Sequence, residues 1–203
     1  MNNIDRFFTS DPDAFAASYL EYLQTVLRSI DTHEIGEFIR TLLDARERGA
    51  NIFFIGNGGS AATASHFAND IAIGTNDFER PFRAMSLVDN VPVVTAISND
   101  FGYEEIFVRQ LKVLARNGDV LVAISASGNS PNLLKAFEWA KSAGVRTVAL
   151  TAFDGGAMKK MADQGVHVPT ARKEYGPAED AHMVLDHLVG AYLMRAVRAS
   201  VQS

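Results

Sequence analysis

The chain has 203 residues, 47% of them hydrophobic, which is enough to bury a substantial core within one structural domain. Its formal net charge of −5 argues against direct nucleic-acid binding, because a phosphate backbone attracts clustered Lys and Arg side chains. Cysteine is absent, so disulfides and thiolate metal sites are excluded, and any metal must be held by His, carboxylate or amide groups.

Residues 1–50 are predicted to form two helices. The first starts at Asp11-Pro12, with proline at its first position, and the second starts near Asp31 to Glu34, a variant of the capping box. Their apolar faces pack either within the chain or on a second subunit. The segment lacks a signal-peptide pattern, and no apolar run in the chain approaches a membrane span. We therefore expect a cytoplasmic protein that does not contact a membrane.

A strand, a glycine-rich loop and a helix follow directly. Ile52 to Ile55 form an apolar run typical of a buried parallel strand, and the glycines at 56, 58 and 59 allow a tight turn. Ser60 is the predicted N-cap, so the first helical amides would form an anion site, most often for phosphate. A loop that binds nothing is the alternative. The segment from Gly56 to Ala61 also fits the loose dinucleotide pattern, but nothing else supports that interpretation.

Strands and helices continue to alternate after this unit. Val91 to Ile97 fits either a strand or a buried helical turn, and the period alone does not decide between them. Tyr103 to Leu114 is predicted as a helix, and Val120 to Ile124 is the clearest strand. Further strands are predicted at 84–87, 146–151 and 166–169, the last at an edge of the sheet with a structural His167. This alternation predicts a parallel sheet with helices on both faces.

A second polar loop follows the clearest strand. It contains Ser125, Ser127 and Asn129, and Ser130 is the predicted N-cap of a helix that begins with Pro131. Ligands of such sheets bind beyond the carboxyl ends of the strands. Hydroxyls and amides from the two loops can therefore converge on one phosphate, which is a more specific signal than either loop alone.

Histidines and carboxylates recur on two of the predicted helices. His66 and Asp70 are four residues apart and share a helix face, so they form either a metal or acid/base pair or a solvated pair. The last helix, from about 177 to 198, carries Glu179, His182, Asp186 and His187. Glu179 and His187 are about 12 Å apart along a regular helix, so sharing one metal would need convergent side chains, and His182 is a competing ligand.

In combination these motifs resemble the sugar isomerase (SIS) family, and within it the phosphoheptose isomerases. The motifs are Gly56-Asn-Gly-Gly-Ser60, His66, Asn99-Asp-Phe-Gly102, Ser125-x-Ser-Gly-Asn-Ser130, His182 and His187. The resemblance implies a five-stranded parallel sheet flanked by helices, a zinc cofactor and a homotetramer with active sites between subunits. Residues 1–50 would then serve oligomerisation, and residues 51–203 would bind the phosphosugar. The implied reaction interconverts sedoheptulose 7-phosphate and D-glycero-D-manno-heptose 7-phosphate.

The resemblance also assigns roles to individual residues. Zinc ligands would be His66, Asp70, Glu179 and His187, with Asp70 as base and His187 as acid. Three positions depart from the family, which has glutamate at 70, commonly threonine at 126 and glutamine at 179. The departures keep a second function open, that of a non-catalytic SIS protein that binds phosphosugars or a replication initiator. The implied substrate contacts are Asn57, Gly58, Gly59, Ser60, Asn99, Asp100, Ser125, Ser127, Ser130 and Glu179.

Overall fold

A parallel sheet of five strands forms the centre of the protein. The structure, a computed structural model, describes residues 2–201, with side chains through residue 199. The strand order in the sheet is β2-β1-β3-β4-β5, and every pairing is parallel. The predicted five-stranded α/β fold is therefore confirmed. The strands are β1 (Asn51–Gly56), β2 (Arg83–Ser86), β3 (Val120–Ser125), β4 (Arg146–Ala152) and β5 (Gln164–Val168).

Helices cover both faces of the sheet. The ambiguous run after β2 is helical, and the helix predicted from Tyr103 divides into a 3₁₀ turn (Tyr103–Glu105) and a separate helix. No helix of residues 2–201 is both long and apolar enough to cross a membrane. The α-helices are α1 (Asn3–Phe7), α2 (Pro12–Arg28), α3 (Thr32–Arg48), α4 (Gly59–Ala72), α5 (Val91–Phe101), α6 (Val108–Leu114), α7 (Pro131–Ser142), α8 (Gly156–Met161) and α9 (Tyr175–Val201).

Two apolar layers hold these helices against the sheet. On one face, α3, α4 and α9 pack over alternate residues of the central strands, with Phe38 and Phe67 in edge-to-face contact. On the other face, Phe107 and Phe137 anchor α6 and α7. Phe38 is fully buried, so α3 belongs to the core layer of the sheet. Whether α2 and α3 also contact a second subunit stays a prediction.

Two predicted helix caps differ from the structure. The N-cap of α4 is Gly58, with φ of 56°, and Ser60 lies within the first turn. Glycine takes this position because a left-handed backbone strains other residues. Asp31 caps α3 as predicted and accepts from the His33 amide, but Glu34 accepts from the His167 amide of β5 instead of closing the capping box. The caps at Asp11 and Ser130 are at the predicted positions.

Candidate active site

The two predicted loops emerge side by side because their strands are neighbours in the sheet. Gly56 at the end of β1 pairs with Ile124 near the end of β3. Gly128 in the second loop has φ of 62°, and a Cβ there would lie 2.1 Å from the Gly155 carbonyl oxygen. Only glycine permits both this φ and this close approach without strain. The loop after β3 is therefore fixed against the loop after β4.

An amide pair joins the two loops. The Asn57 and Asn132 side chains donate to each other's carbonyl oxygens at 2.9 Å in both directions. The Tyr103 hydroxyl also donates to the Asn57 side chain, at 2.8 Å. Asn132 is buried, so these bonds hold the first turn of α7 in register with the loop before α4.

A cavity of about 150 Å³, here called the serine pocket, lies where the two loops meet. Helices α4 and α7 both begin at this cavity, so their free amides and dipoles favour an anion there. Ser125 Oγ already accepts from the Gly128 amide at 3.1 Å, which leaves its own hydrogen available to a ligand. The lining residues include no basic side chain: they are Asn57, Ser60, Ile124, Ser125, Ala126, Ser127, Ser130, Tyr175 and Glu179.

The carboxylate of Glu179 lies at the N-terminus of α4. A Cβ placed on Gly59 would lie 2.2 Å from Glu179 Oε2, so the glycine makes room for the carboxylate at the helix N-terminus. Burial raises the pKa of Glu179, and the nearby Asp180 raises it further. A partly buried carboxyl group with a raised pKa is the kind of group that exchanges protons with a bound substrate.

A second cluster lies further along α4, where it packs on α9. His66, Asp70, Asp186 and His187 each offer one ligand atom, and these atoms all lie within 4.8 Å of one another. The rings of His66 and His187 meet edge to face, with centroids 5.1 Å apart. His66 Nδ1 is 3.8 Å from Asp70 Oδ2. Imidazole nitrogens and carboxylate oxygens in this number are a ligand set that suits zinc.

Asp186 is the deepest member of this cluster. Its side chain is fully buried, and its Oδ2 accepts a short hydrogen bond from His66 Nδ1, while its Oδ1 has no partner. The hydrogen bond to Asp186 raises the pKa of His66. Burial raises the pKa of Asp186, against the opposing effect of His66. A buried carboxylate oxygen without a protein partner is a position that a cation or a water would satisfy.

The cluster contains three of the four expected metal ligands, namely His66, Asp70 and His187. The fourth, Glu179, lies outside this group and lines the serine pocket, as expected for its other assigned role in substrate binding. Asp186 is the fourth member of the cluster in place of Glu179. The sequence placed Asp186 on the last helix but gave it no role, although an aspartate amid an apolar helical stripe is a signal for a buried polar contact.

The remaining expected site residues lie in the serine pocket, at the start of α4 and on α5. Asn57, Ser60, Ser125, Ser127 and Ser130 line the serine pocket, and their contact with a substrate stays a prediction. Gly58 caps α4 and Gly59 lies beneath the Glu179 carboxylate, so both shape the site through the backbone. Asn99 and Asp100 are exposed on α5, hydrogen-bonded to each other, and do not line this pocket. Within one chain, these two residues are therefore not among those that would surround a sugar in this pocket.

His182, the competing ligand, is separate from the cluster. It is fully buried, with Nε2 at 3.4 Å from the Thr151 carbonyl oxygen and Nδ1 without a partner. Burial lowers its pKa to about 4, so it is a neutral core residue at physiological pH. His167 is half-buried and its Nδ1 lies 3.0 Å from Thr151 Oγ1, which fits the structural role that the sequence predicted.

Comparisons with known proteins identify the family of the chain. Residues 15–152 match the SIS domain family. The phosphoheptose isomerase of Helicobacter pylori strain P12 is 36% identical over 180 residues, covering 87% of this chain and 92% of that protein. The phosphoheptose isomerase of Akkermansia muciniphila is 39% identical over 165 residues, covering 81% and 86%. The phosphoheptose isomerase structure from Neisseria gonorrhoeae superposes with a TM-score of 0.79 at 30% identity, covering 89% and 97%. The chain therefore belongs to the SIS domain family and, within it, to the phosphoheptose isomerase family of enzymes.

Proposed function

We propose that the protein is a zinc-dependent aldose-ketose isomerase that interconverts sedoheptulose 7-phosphate and D-glycero-D-manno-heptose 7-phosphate. The observation that carries this proposal is that helices α4 and α9 contribute residues both to the serine pocket and to the cluster of His66 and Asp70. Ser60 and His66 are separated by about 9 Å along α4. That separation suits an open-chain sugar phosphate whose phosphate and reacting carbons lie several bonds apart. The names of the relatives indicate a phosphorylated heptose, and the family resemblance implies the particular pair of sugars.

The phosphate is held in the serine pocket without a basic side chain among the lining residues. Serine hydroxyls, backbone amides and the N-termini of α4 and α7 donate to its oxygens. Neutral donors bind a phosphate by direction as much as by charge, so they fix the sugar's orientation. The carbonyl end of the chain is thereby directed along α4 towards Asp70 and His187.

Proton transfer is assigned to two residues of the cluster. Asp70 is partly exposed and takes the proton from the carbon next to the carbonyl, while the exposed His187 donates to the carbonyl oxygen. In the enediol that results, Asp70 returns its proton to the former carbonyl carbon, and His187 takes back a proton from the other hydroxyl, whose oxygen becomes the new carbonyl. A general base must lie within hydrogen-bond reach of the carbon-bound proton. Asp70 is one methylene shorter than the glutamate usual in the family, so the sugar must approach α4 more closely.

The cluster fits a zinc ion that the family resemblance implies. His66, Asp70 and His187 would hold the ion as three protein ligands, the number usual in catalytic zinc sites, which keep one position open. Bound zinc would supply Lewis-acid polarisation of the sugar carbonyl. The unpartnered Oδ1 of buried Asp186 supports a cation at this point. Glu179 stays with the sugar, because its carboxylate lies over Gly59 and lines the serine pocket.

The test is an isomerisation assay with sedoheptulose 7-phosphate. We expect turnover by the wild type, loss of turnover after chelation and recovery with one equivalent of zinc. Asp70→Asn keeps the shape but not the basicity, and should lower kcat by about 10²-fold to 10⁴-fold with little change in KM. An Asp70→Asn protein that folds and turns over at the wild-type rate would remove Asp70 from the role of base. A wild type that is fully active without metal would remove zinc.

A second candidate function is a non-catalytic phosphosugar-binding protein. The changes at Asp70, Ala126 and Glu179 support it, because small changes among groups that contact a substrate often end catalysis while leaving binding. Such a protein would bind sedoheptulose 7-phosphate through the serine pocket and would not catalyse exchange of its protons with solvent. Binding measured by calorimetry together with the absence of turnover in the assay above would favour this candidate.

A further inference from the structure

Burial varies sharply across the His66 cluster. His187 is exposed, His66 and Asp70 keep 42% and 30% of their side chains exposed, and Asp186 is fully buried. A catalytic metal must be open to its substrate, so it belongs on the exposed side of the cluster. Asp186 is the most buried of the four, and its carboxylate contacts the imidazole of His66.

The hydrogen bond between Asp186 and His66 also determines which ring nitrogen is free. The contact joins Asp186 Oδ2 and His66 Nδ1, and an ionised carboxylate can only accept, so the contact favours the neutral imidazole with its proton on Nδ1. Nε2 then carries the lone pair and is the nitrogen available to a metal. Metal-bound histidines usually donate their other ring N–H to a carboxylate in this way, which fixes the ring and strengthens it as a ligand.

We propose that Asp186 is a positioning residue of the metal site: it orients His66 and holds its metal-binding tautomer without itself touching the metal. The inference rests on the proposed zinc-dependent function. It gives separate roles to two of the carboxylates of α9, since Asp186 supports the metal site through His66 and Glu179 contacts the sugar in the serine pocket. Direct coordination by Asp186 is the competing arrangement, because its carboxylate lies within the same group of ligand atoms.

Zinc affinity is the primary measurement, made on the full-length protein by competition with a chelator of known affinity. Asp186→Asn keeps an acceptor for His66 Nδ1 and should weaken zinc binding by about 10-fold, whereas Asp186→Leu removes the acceptor and should weaken it by about 100-fold. Asp180→Asn is the matched control. Asp180 is another carboxylate of α9 and accepts from the Tyr19 hydroxyl, away from the cluster, so its variant should keep the wild-type zinc affinity.

Nitrogen NMR of the zinc-loaded wild type provides a second readout that a purely structural role would not affect. We expect the His66 proton on Nδ1 and zinc on Nε2. Wild-type zinc affinity in both Asp186 variants, or zinc on Nδ1, would overturn the proposal. An Asp186 oxygen at about 2.0–2.2 Å from zinc in a crystal of the loaded protein would also overturn it, in favour of direct coordination. A wild type that takes up no zinc would contradict the zinc site itself, and the role of Asp186 with it.

Discussion

Gly128 shows at the scale of one residue how the backbone shapes the serine pocket. Its φ is 62°, and a Cβ would lie 2.1 Å from the Gly155 carbonyl oxygen, whereas Gly49 has a φ of 65° with nothing within 4 Å of its Cβ position. Gly49→Ala should therefore cost about 1–2 kcal/mol for the left-handed backbone alone. We expect Gly128→Ala to cost more, and to weaken phosphosugar binding as well. Urea unfolding and calorimetry check this, and equal destabilisation by both variants would contradict it.

His182 predicts a pH dependence of stability. Burial lowers its pKa from 6.5 to about 4, so the unfolded chain takes up a proton at a higher pH than the folded protein does. The stabilisation is complete above the unfolded pKa of about 6.5 and is lost as pH falls towards the folded pKa of about 4. By about pH 5 the loss from this group should reach about 2 kcal/mol.

His182→Leu isolates this effect, because leucine cannot be protonated. Unfolding free energies of the wild type and the variant should diverge by about 2 kcal/mol between about pH 7.5 and about pH 5, with the wild type losing more. Comparison at each pH cancels the contributions of the other titrating groups. Parallel curves for the two proteins across this range would show that His182 is already protonated in the fold, or that it is not buried.

At the scale of elements, hydrogen bonds from α1 and α2 hold the start of α9 in place. Glu174 is fully buried and accepts from the Tyr22 hydroxyl and the Asn3 amide at 2.5 Å, and from the Ala171 amide at 2.9 Å. The Tyr19 hydroxyl donates to Asp180 at 2.5 Å. These bonds fix the helical turns that bring Tyr175 and Glu179 to the serine pocket. The N-terminal helices therefore support the site within a single chain.

Tyr22→Phe removes one donor from a buried carboxylate. We expect it to lower the free energy of unfolding by about 1.5–3 kcal/mol, the range for hydrogen bonds to charged groups. Tyr192→Phe is the control, because Tyr192 lies on the same helix α9 with 53% of its surface exposed, and should change stability by less than about 0.5 kcal/mol. Chemical denaturation of the two variants measures the difference. Equal stabilities would show that Glu174 does not depend on the Tyr22 hydroxyl.

The elements predictable from the sequence are those whose signal is local. Val120 to Ile124 could be identified as a strand because β-branched residues, an apolar run and flanking turns all agree. Val91 to Ile97 could not be assigned, because a short apolar run fits both periods, and its helix depends on Asn90 as the N-cap. The N-cap of α4 is Gly58 instead of the predicted Ser60, because the chain turns into the helix through a positive φ of 56° at Gly58, and residue type alone does not locate that turn.

The candidate site was also predictable only where the signal in the sequence is local. The loops could be predicted to meet because the carboxyl ends of parallel strands lie on one edge of the sheet. His66 and Asp70 could be recognised as a pair from their spacing, and His187 from the family resemblance. The fourth member of the cluster, Asp186 in place of Glu179, could not be predicted, because it depends on how α4 crosses α9 and on which side chains point into that contact. Glu179 faces the serine pocket and Asp186 faces His66, although both lie on one helix.

At the scale of the whole molecule, exposed apolar surface favours self-association. Phe101 and Val113 are exposed over 51% and 82% of their surface, beside a groove lined by Val93 and Ile97. A homotetramer of the 22.1 kDa chain is the assembly that the family resemblance implies. We expect sedimentation to give a species about four times the chain mass, and Val113→Asp to dissociate it. A wild type that sediments as a monomer at micromolar concentration while still binding phosphosugar would contradict the tetramer.

Isomerisation through an enediol requires a proton transfer between sugar and protein that binding alone does not require. The proton next to the sugar carbonyl must pass to an enzyme base, which we propose to be Asp70, where it can exchange with solvent before it returns. The most direct test is therefore incubation of sedoheptulose 7-phosphate with the wild-type protein in deuterated water, followed by NMR of the sugar. We predict deuterium on the carbon next to the carbonyl with the wild type, and a large reduction with Asp70→Asn. Sugar phosphate that is bound by the wild type but gains no deuterium and is not converted would contradict the account.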